Sequence, residues 1–184
     1  MIKRQLERSY GAVSRLNHWV IALAMIGMIC YGLFIVEFLP KGPEKYAQIQ
    51  THKALGVLVL VYGVWRVLWR LLRGFPEPAS AMPLWQRRLS EFTHWALIVG
   101  ILLMPLSGMT TSLFGGHDIS MFGSLVIPGL PVNETVSKLA ADVHAITGKV
   151  LIAIIALHVA GALKHHLIDR DATLIRMLSG KVER

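Results

Sequence analysis

Cysteine is almost missing from this 184-residue chain: Cys30 stands alone, so an internal disulfide framework is excluded. Charge is scarce too. Asp, Glu, Lys and Arg make up 16% of the residues, against about 25% in an ordinary soluble domain. A soluble enzyme, a disordered tail and a nucleic-acid-binding domain all fit that composition poorly. No low-complexity tract is visible, and neither is the internal inverted repeat common in transporters. What the chain has instead is apolar surface, with 54% hydrophobic residues and a mean hydropathy of +0.53. The length allows one domain, at most two small ones. Nineteen basic residues against eleven acidic ones give a formal charge of +8. In so apolar a chain, that surplus reads as basic residues gathered at one membrane face. The composition is that of an integral membrane protein.

Four stretches meet the requirement of about 20 mostly apolar residues for a crossing helix. They run over about 16–36, 54–72, 92–114 and 143–163. The first is too long for a signal h-region and no A-x-A-like site follows it, so it reads as a retained helix. The second holds Arg66 and Arg70 in its last two turns, where long basic side chains can snorkel to headgroups. Lys3, Arg4, Arg8 and Arg15 precede the first span. Arg66, Arg70, Arg73, Arg87 and Arg88 lie around the second connection, and Lys164, Arg170, Arg176, Lys181 and Arg184 follow the fourth span. Only Lys41, Lys45, Lys53, Lys138 and Lys149 belong to the other side. The positive-inside rule therefore places both termini in the cytoplasm. Short links make the expected architecture an all-α, up-down-up-down four-helix bundle. The exception is a loop of about 115–142, rich in Gly and Pro, whose apolar stretch Met121–Ile127 is expected to fold over the outer face or lie in the interface. Asn133-Glu134-Thr135 matches a glycosylation pattern too short to carry weight.

Eight histidines carry the chemistry. An imidazole inside a bilayer is costly without a partner. His144 and His158 share one helix, fourteen residues apart. That is about 21 Å along the axis and about 40° short of four full turns, so both rings look inward from nearly one face at different depths. His52 opens the second helix level with His144. His18 lies in the first helix, in the leaflet of His158. Two stacked pairs result. His94, in Thr93-His94-Trp95, begins the third helix at the same depth as His18, and spacing leaves both open as the partner of His158.

Opposed imidazoles in an apolar core suit a low-spin haem b, whose iron takes both axial ligands from histidine. The chain has no C-x-x-C-H for covalent haem attachment. Zinc prefers four ligands with thiolate or carboxylate among them, and no Cys, Asp or Glu sits at the right depth. Gly56 follows His52 and Gly148 follows His144, each at i+4. Such glycines leave room for a flat macrocycle against the backbone, although close helix packing uses them as well. His117, in the long loop, is expected to be solvated. His165 and His166 are expected to meet headgroups or haem propionates, or to act as plain interfacial anchors. Lys53 and Lys149 would tune an outer haem or attract a small anion, against the alternative of ordinary snorkelling. Trp19, Trp69, Trp85 and Trp95 fall at one interface as an aromatic belt, with Trp65 deeper.

Leu16-Asn17-His18-Trp19, His52-x-x-x-Gly56, Thr93-His94-Trp95 and the ending from His158 through Lys164-His165-His166 to Leu178 together resemble the prokaryotic cytochrome b561 family over nearly the whole chain. The resemblance implies a single inner-membrane domain over residues 1–184 with two haems b. It implies axial ligands from helices one, two and four, which selects His18 over His94 and gives pairs His52/His144 (outer) and His18/His158 (inner). His94 becomes a neighbour of the ligands or propionates. It further implies electron exchange with quinone and, in some members, oxidation of superoxide at the outer face. Lipid, a quinone and a small redox donor are the expected partners, and nucleic acid is not. With both axial positions filled, one-electron transfer is the chemistry left. The rival reading is a haem-bearing anchor subunit that relays electrons for a larger dehydrogenase.

Overall fold

The computed structural model describes residues 10–74 and 80–179. Lys3, Arg4, Arg8, Lys181 and Arg184 of the charge pattern lie outside the described residues. Four long helices dominate: α1 Ala12–Phe38, α2 Pro43–Arg73, α3 Leu84–Phe114 and α4 Glu134–Leu167. All four are long and apolar enough to cross a membrane, and less than a quarter of each apolar window is buried inside the bundle. The rest of their surface is left to lipid. Each helix packs closely on the next in sequence, as short connections in an all-α, up-down-up-down four-helix membrane bundle require.

The helices outrun the apolar stretches that announce them. Hydropathy marks only the part in hydrocarbon, about 30 Å thick, whereas the 34 residues of α4 extend about 51 Å at 1.5 Å each. Local signals set the true starts. Pro43 in the first turn, followed by Glu44, begins α2. The Asn133 side chain accepts the Val136 N–H at 3.1 Å and caps α4, which gives that asparagine a structural task. His52 therefore does not open α2. It lies well inside, as does His144 in α4.

The long loop shrinks accordingly and contains a hairpin. β1 (Ile119–Met121) pairs antiparallel with β2 (Leu125–Ile127), Ile119 opposite Ile127. The apolar stretch thus folds back on the bundle end, with Ile119 almost fully buried against α2. Lys53 ties it down, its Nζ donating to the Asp118 carbonyl at 2.7 Å and to Ser112 Oγ at 3.1 Å. Gly129 must be glycine, because a Cβ there would lie 2.7 Å from the Gly116 carbonyl carbon.

At the opposite end, where both described termini lie, the short helix α5 (Thr173–Leu178) tucks under the bundle. Trp19 Nε1 donates to the Met177 carbonyl at 3.1 Å. Asp171 anchors the turn before α5. Its carboxylate accepts from Ser80 Oγ at 2.7 Å and from the Thr173 N–H at 2.8 Å, and it meets His165 Nδ1 at 2.8 Å. Partial burial pushes this carboxyl up, but the hydrogen bonds from Thr173, Ser80 and His165 prevail and hold it at about 2, below its ordinary 3.8. A folded value below the unfolded one stabilises the fold above the unfolded value and is lost as pH falls through the folded one. Trp19 fluorescence is therefore expected to report α5 docked at pH 5 and released as pH approaches 2. Asp171→Asn should show the released signal already at neutral pH.

Between the bundle ends lies a dry plug. Ile21, Met25 and Ile29 of α1 meet Leu151 of α4, with Val59, Ile101 and Met104 packed around them. Glycines bring the backbones together, as small residues do between membrane helices. A Cβ at Gly63 would come within 2.8 Å of Ile101, and one at Gly100 would overlap Leu151.

Candidate functional site

Leu151 falls midway between His144 and His158 on α4, so the plug separates two histidine clusters at two depths. At the hairpin end, the rings of His52 and His144 are 6.4 Å apart between centroids and nearly perpendicular at 87°. At the terminal end, His18 and His158 are 6.1 Å apart, inclined at 53°. His94 joins that second cluster, 5.4 Å from His158 at 75°. All five rings are half-buried.

The spacing can be weighed against haem. A metal–imidazole bond is about 2 Å and the ring centre lies roughly another ångström beyond, so two imidazoles sharing one ion stand about 6 Å apart. The two pairs from non-adjacent helices have that separation. Polar chemistry agrees. His144 Nδ1 lies 2.9 Å from the Met104 carbonyl and 3.3 Å from Ser107 Oγ. A carbonyl only accepts, so Nδ1 carries the proton and Nε2 keeps the lone pair a metal needs. Among the described residues His52 Nδ1 is buried with no hydrogen-bond partner, so no group of the bundle competes for that ring. Imidazole-only donor sets suit haem iron better than zinc. The residues present fit the group.

Two glycines that the sequence does not single out shape the hairpin-end cluster. A Cβ at Gly108 of α3 would lie 2.9 Å from His144 Cε1, and one at Gly32 of α1 would lie 3.2 Å from His52 Cε1. Both rings thus rest against bare backbone. The two glycines expected to face a macrocycle have methionine methyls over them instead, Met28 at 4.0 Å from the Gly56 position and Met104 at 3.2 Å from that of Gly148. Thioether chains are unbranched and adaptable, so this cover can yield to a flat ligand. Gly108→Ala is expected to displace the His144 ring from the Met104 carbonyl. It should weaken haem retention at the hairpin end at least tenfold, measured by haem loss to an apo-acceptor, while the terminal-end site holds its haem.

The terminal-end cluster differs in charge. Arg66 and Arg70 do not snorkel to headgroups but are buried, as are Asn17 and Arg176. The Tyr62 hydroxyl donates to Asn17 Oδ1 at 2.7 Å. Arg70 and Arg176 both stand over the Tyr10 ring, each 5.6 Å from its centroid. Burial of the arginines is invisible to hydropathy because it depends on which way α2 turns.

The remaining expectations fare differently. His117 is exposed in the loop, and Lys149 is exposed as well. Lys53 is committed to the hairpin. His165 faces Asp171 and Asp169, at 2.8 and 3.2 Å. Trp69 Nε1 donates to Ser14 Oγ at 3.0 Å, joining α2 to the start of α1.

Comparison with known proteins gives a consistent set. The family model described as prokaryotic cytochrome b561 matches residues 9–180. Cytochrome b561 homolog 2 of Escherichia coli (strain K12) is 31% identical over 170 residues, covering 92% of this chain and 90% of that protein. Cytochrome b561 homolog 1 of the same organism is 28% identical, over 88% of this chain and 92% of its own length. A Yersinia pestis protein named probable superoxide oxidase CybB is 22% identical, over 96% and 99% respectively.

Proposed function

The chain belongs to the prokaryotic cytochrome b561 family, whose members bind haem b in a multi-pass membrane bundle, and from that premise we propose that it carries single electrons across the bacterial inner membrane through two bis-histidine haems. His52 and His144 hold the haem of the hairpin end, and His18 and His158 hold that of the terminal end. The observation that carries the reading is the pairing of imidazoles from non-adjacent helices at about 6 Å, twice, at two depths. Haem, when bound, supplies a one-electron couple with no open coordination position. The chain's own part is to fix the imidazoles, keep water out with the Leu151 plug, and set the charge around each site.

Among the described residues most basic side chains lie at the terminal end, which by the positive-inside rule supports a cytoplasmic location for both termini. The hairpin end then faces outward. An outer one-electron donor meets that end, and a quinone takes electrons within the membrane. Superoxide fits the donor role: two superoxide anions each lose one electron to become dioxygen, and one quinone gains both electrons and two protons to become a quinol. The name of the Yersinia relative favours this donor.

The test uses the purified chain in liposomes containing ubiquinone. Superoxide generated outside should reduce haem within the dead time and produce quinol at one per two superoxide consumed. A protein with two haems that turns over quinone only with a dehydrogenase present would instead be an anchor subunit. A colourless protein would end the haem reading altogether.

A further inference from the structure

Buried guanidinium groups in a membrane bundle are expensive, and those that persist mark a partner of opposite charge. Arg66 is 8% exposed and Arg70 6% exposed, both on the last turns of α2. Among the described residues Arg66 has no carboxylate partner, and its Nε is buried with nothing to donate to. Asn17 Nδ2, on α1 immediately beside His18, is a second buried donor with nothing to donate to. Tyr62 links the two positions, since it binds Asn17 and lies one turn before Arg66 on α2. Both arginines lie within electrostatic range of His18 and His94. Beside the terminal-end histidines, Arg66 Nε and Asn17 Nδ2 thus share one deficit, an acceptor, and Arg70, whose Nη1 donates to the Gly74 carbonyl at 2.9 Å, adds a second positive charge next to them.

We propose that Arg66, Arg70 and Asn17 form a clasp for the propionate carboxylates of the haem held at the terminal end. The proposal rests on the bis-histidine reading above. Guanidinium matches carboxylate geometry with paired donors, and the propionates are the only anionic groups that haem b brings. The clasp does two things. It fixes the macrocycle's rotation about the axis between its two axial imidazoles. It also places fixed positive charge near the iron, and a ferric centre with net charge +1 is disfavoured beside such charge relative to its neutral ferrous form.

Redox titration followed in the visible band tests this on the full chain with both haems bound. Arg66→Gln should lower the equilibrium constant for reducing one of the two haems about tenfold, about 59 mV for a one-electron couple, and leave the other in place. Arg66→Lys, which keeps the charge, should restore most of the loss. If Arg66→Gln retains both haems at unchanged potentials, or if Lys and Gln behave alike, the clasp is wrong although the haem reading survives. Should Arg66→Gln fail to fold, wild-type apoprotein reconstituted with haem dimethyl ester keeps the test open. The terminal-end site should bind the ester at least tenfold more weakly than haem, and equal binding overturns the proposal. A lipid phosphate would be the occupant instead if removing anionic lipid moved the potential while esterification did not, and that result overturns it too. Absence of any haem would refute the underlying reading.

Discussion

Replacing His144 with alanine is expected to halve the haem content, from two per chain to one, and to abolish electron transfer across the membrane. The ring is the most constrained of the five. Its Nδ1 proton goes to the Met104 carbonyl, its edge lies against Gly108, and its partner His52 stands 6.4 Å away. Alanine removes the lone pair and leaves a cavity bounded by bare helix backbone, which water cannot fill favourably in an apolar surround. The second haem should stay. The two clusters are about 21 Å apart along α4, and the Ile21–Met25–Ile29–Leu151 plug lies between them. Haem quantitation and a reduced-minus-oxidised spectrum read the result directly. One haem retained with a single-component redox titration is the expected outcome. Loss of both would mean that the clusters fold as one unit. Retention of both would mean that His144 is no ligand. His52→Ala should match His144→Ala, because an axial pair fails when either member goes.

Much of this is legible in the amino-acid sequence. Four apolar runs sufficed for a four-helix bundle, because a membrane permits so few alternatives, and the fourteen-residue interval from His144 to His158 already places two rings on one face. The helix ends were not legible in the same way. Pro43 and Asn133 start their helices in polar sequence, where hydropathy is silent and capping chemistry decides. Nor was the seating of the imidazoles. Gly32 and Gly108 look like ordinary packing glycines, and only the relative rotation of α1 against α2, and of α3 against α4, brings them under a histidine. The two arginines misled for a related reason. A basic residue in the last turns of a span usually reaches for headgroups, whereas Arg66 and Arg70 are buried on the side of α2 where Tyr62 meets Asn17 of α1 and where Arg70 stands over the Tyr10 ring. Sequence spacing describes one helix at a time, and each of these features belongs to two.

The terminal-end ligand is where neighbouring helices decide most sharply, and it gives the second large prediction. His94 is nearer to His158 than His18 is, 5.4 Å against 6.1 Å, so proximity alone would favour it. The packing of the bundle argues the other way. α3 and α4 are in intimate contact, with Gly100 against Leu151 and Gly108 against His144. A rigid plate cannot enter between two helices whose backbones already meet. α1 and α4, like α2 and α4, are not among the closely packed neighbours. They approach through side chains, and between such helices a plate can lie with one imidazole on each face. Both assigned pairs, His52/His144 and His18/His158, bridge helices of that kind, and His94/His158 does not. His18→Ala is therefore expected to lose one haem completely. His94→Ala is expected to keep both and to alter only the terminal-end spectrum and potential, since His94 is left at the edge of that site with Ser90 Oγ 3.4 Å from its Nδ1. The opposite pattern, with His94→Ala missing a haem and His18→Ala intact, would require α3 and α4 to stand several ångströms further apart and would overturn the assignment of His18.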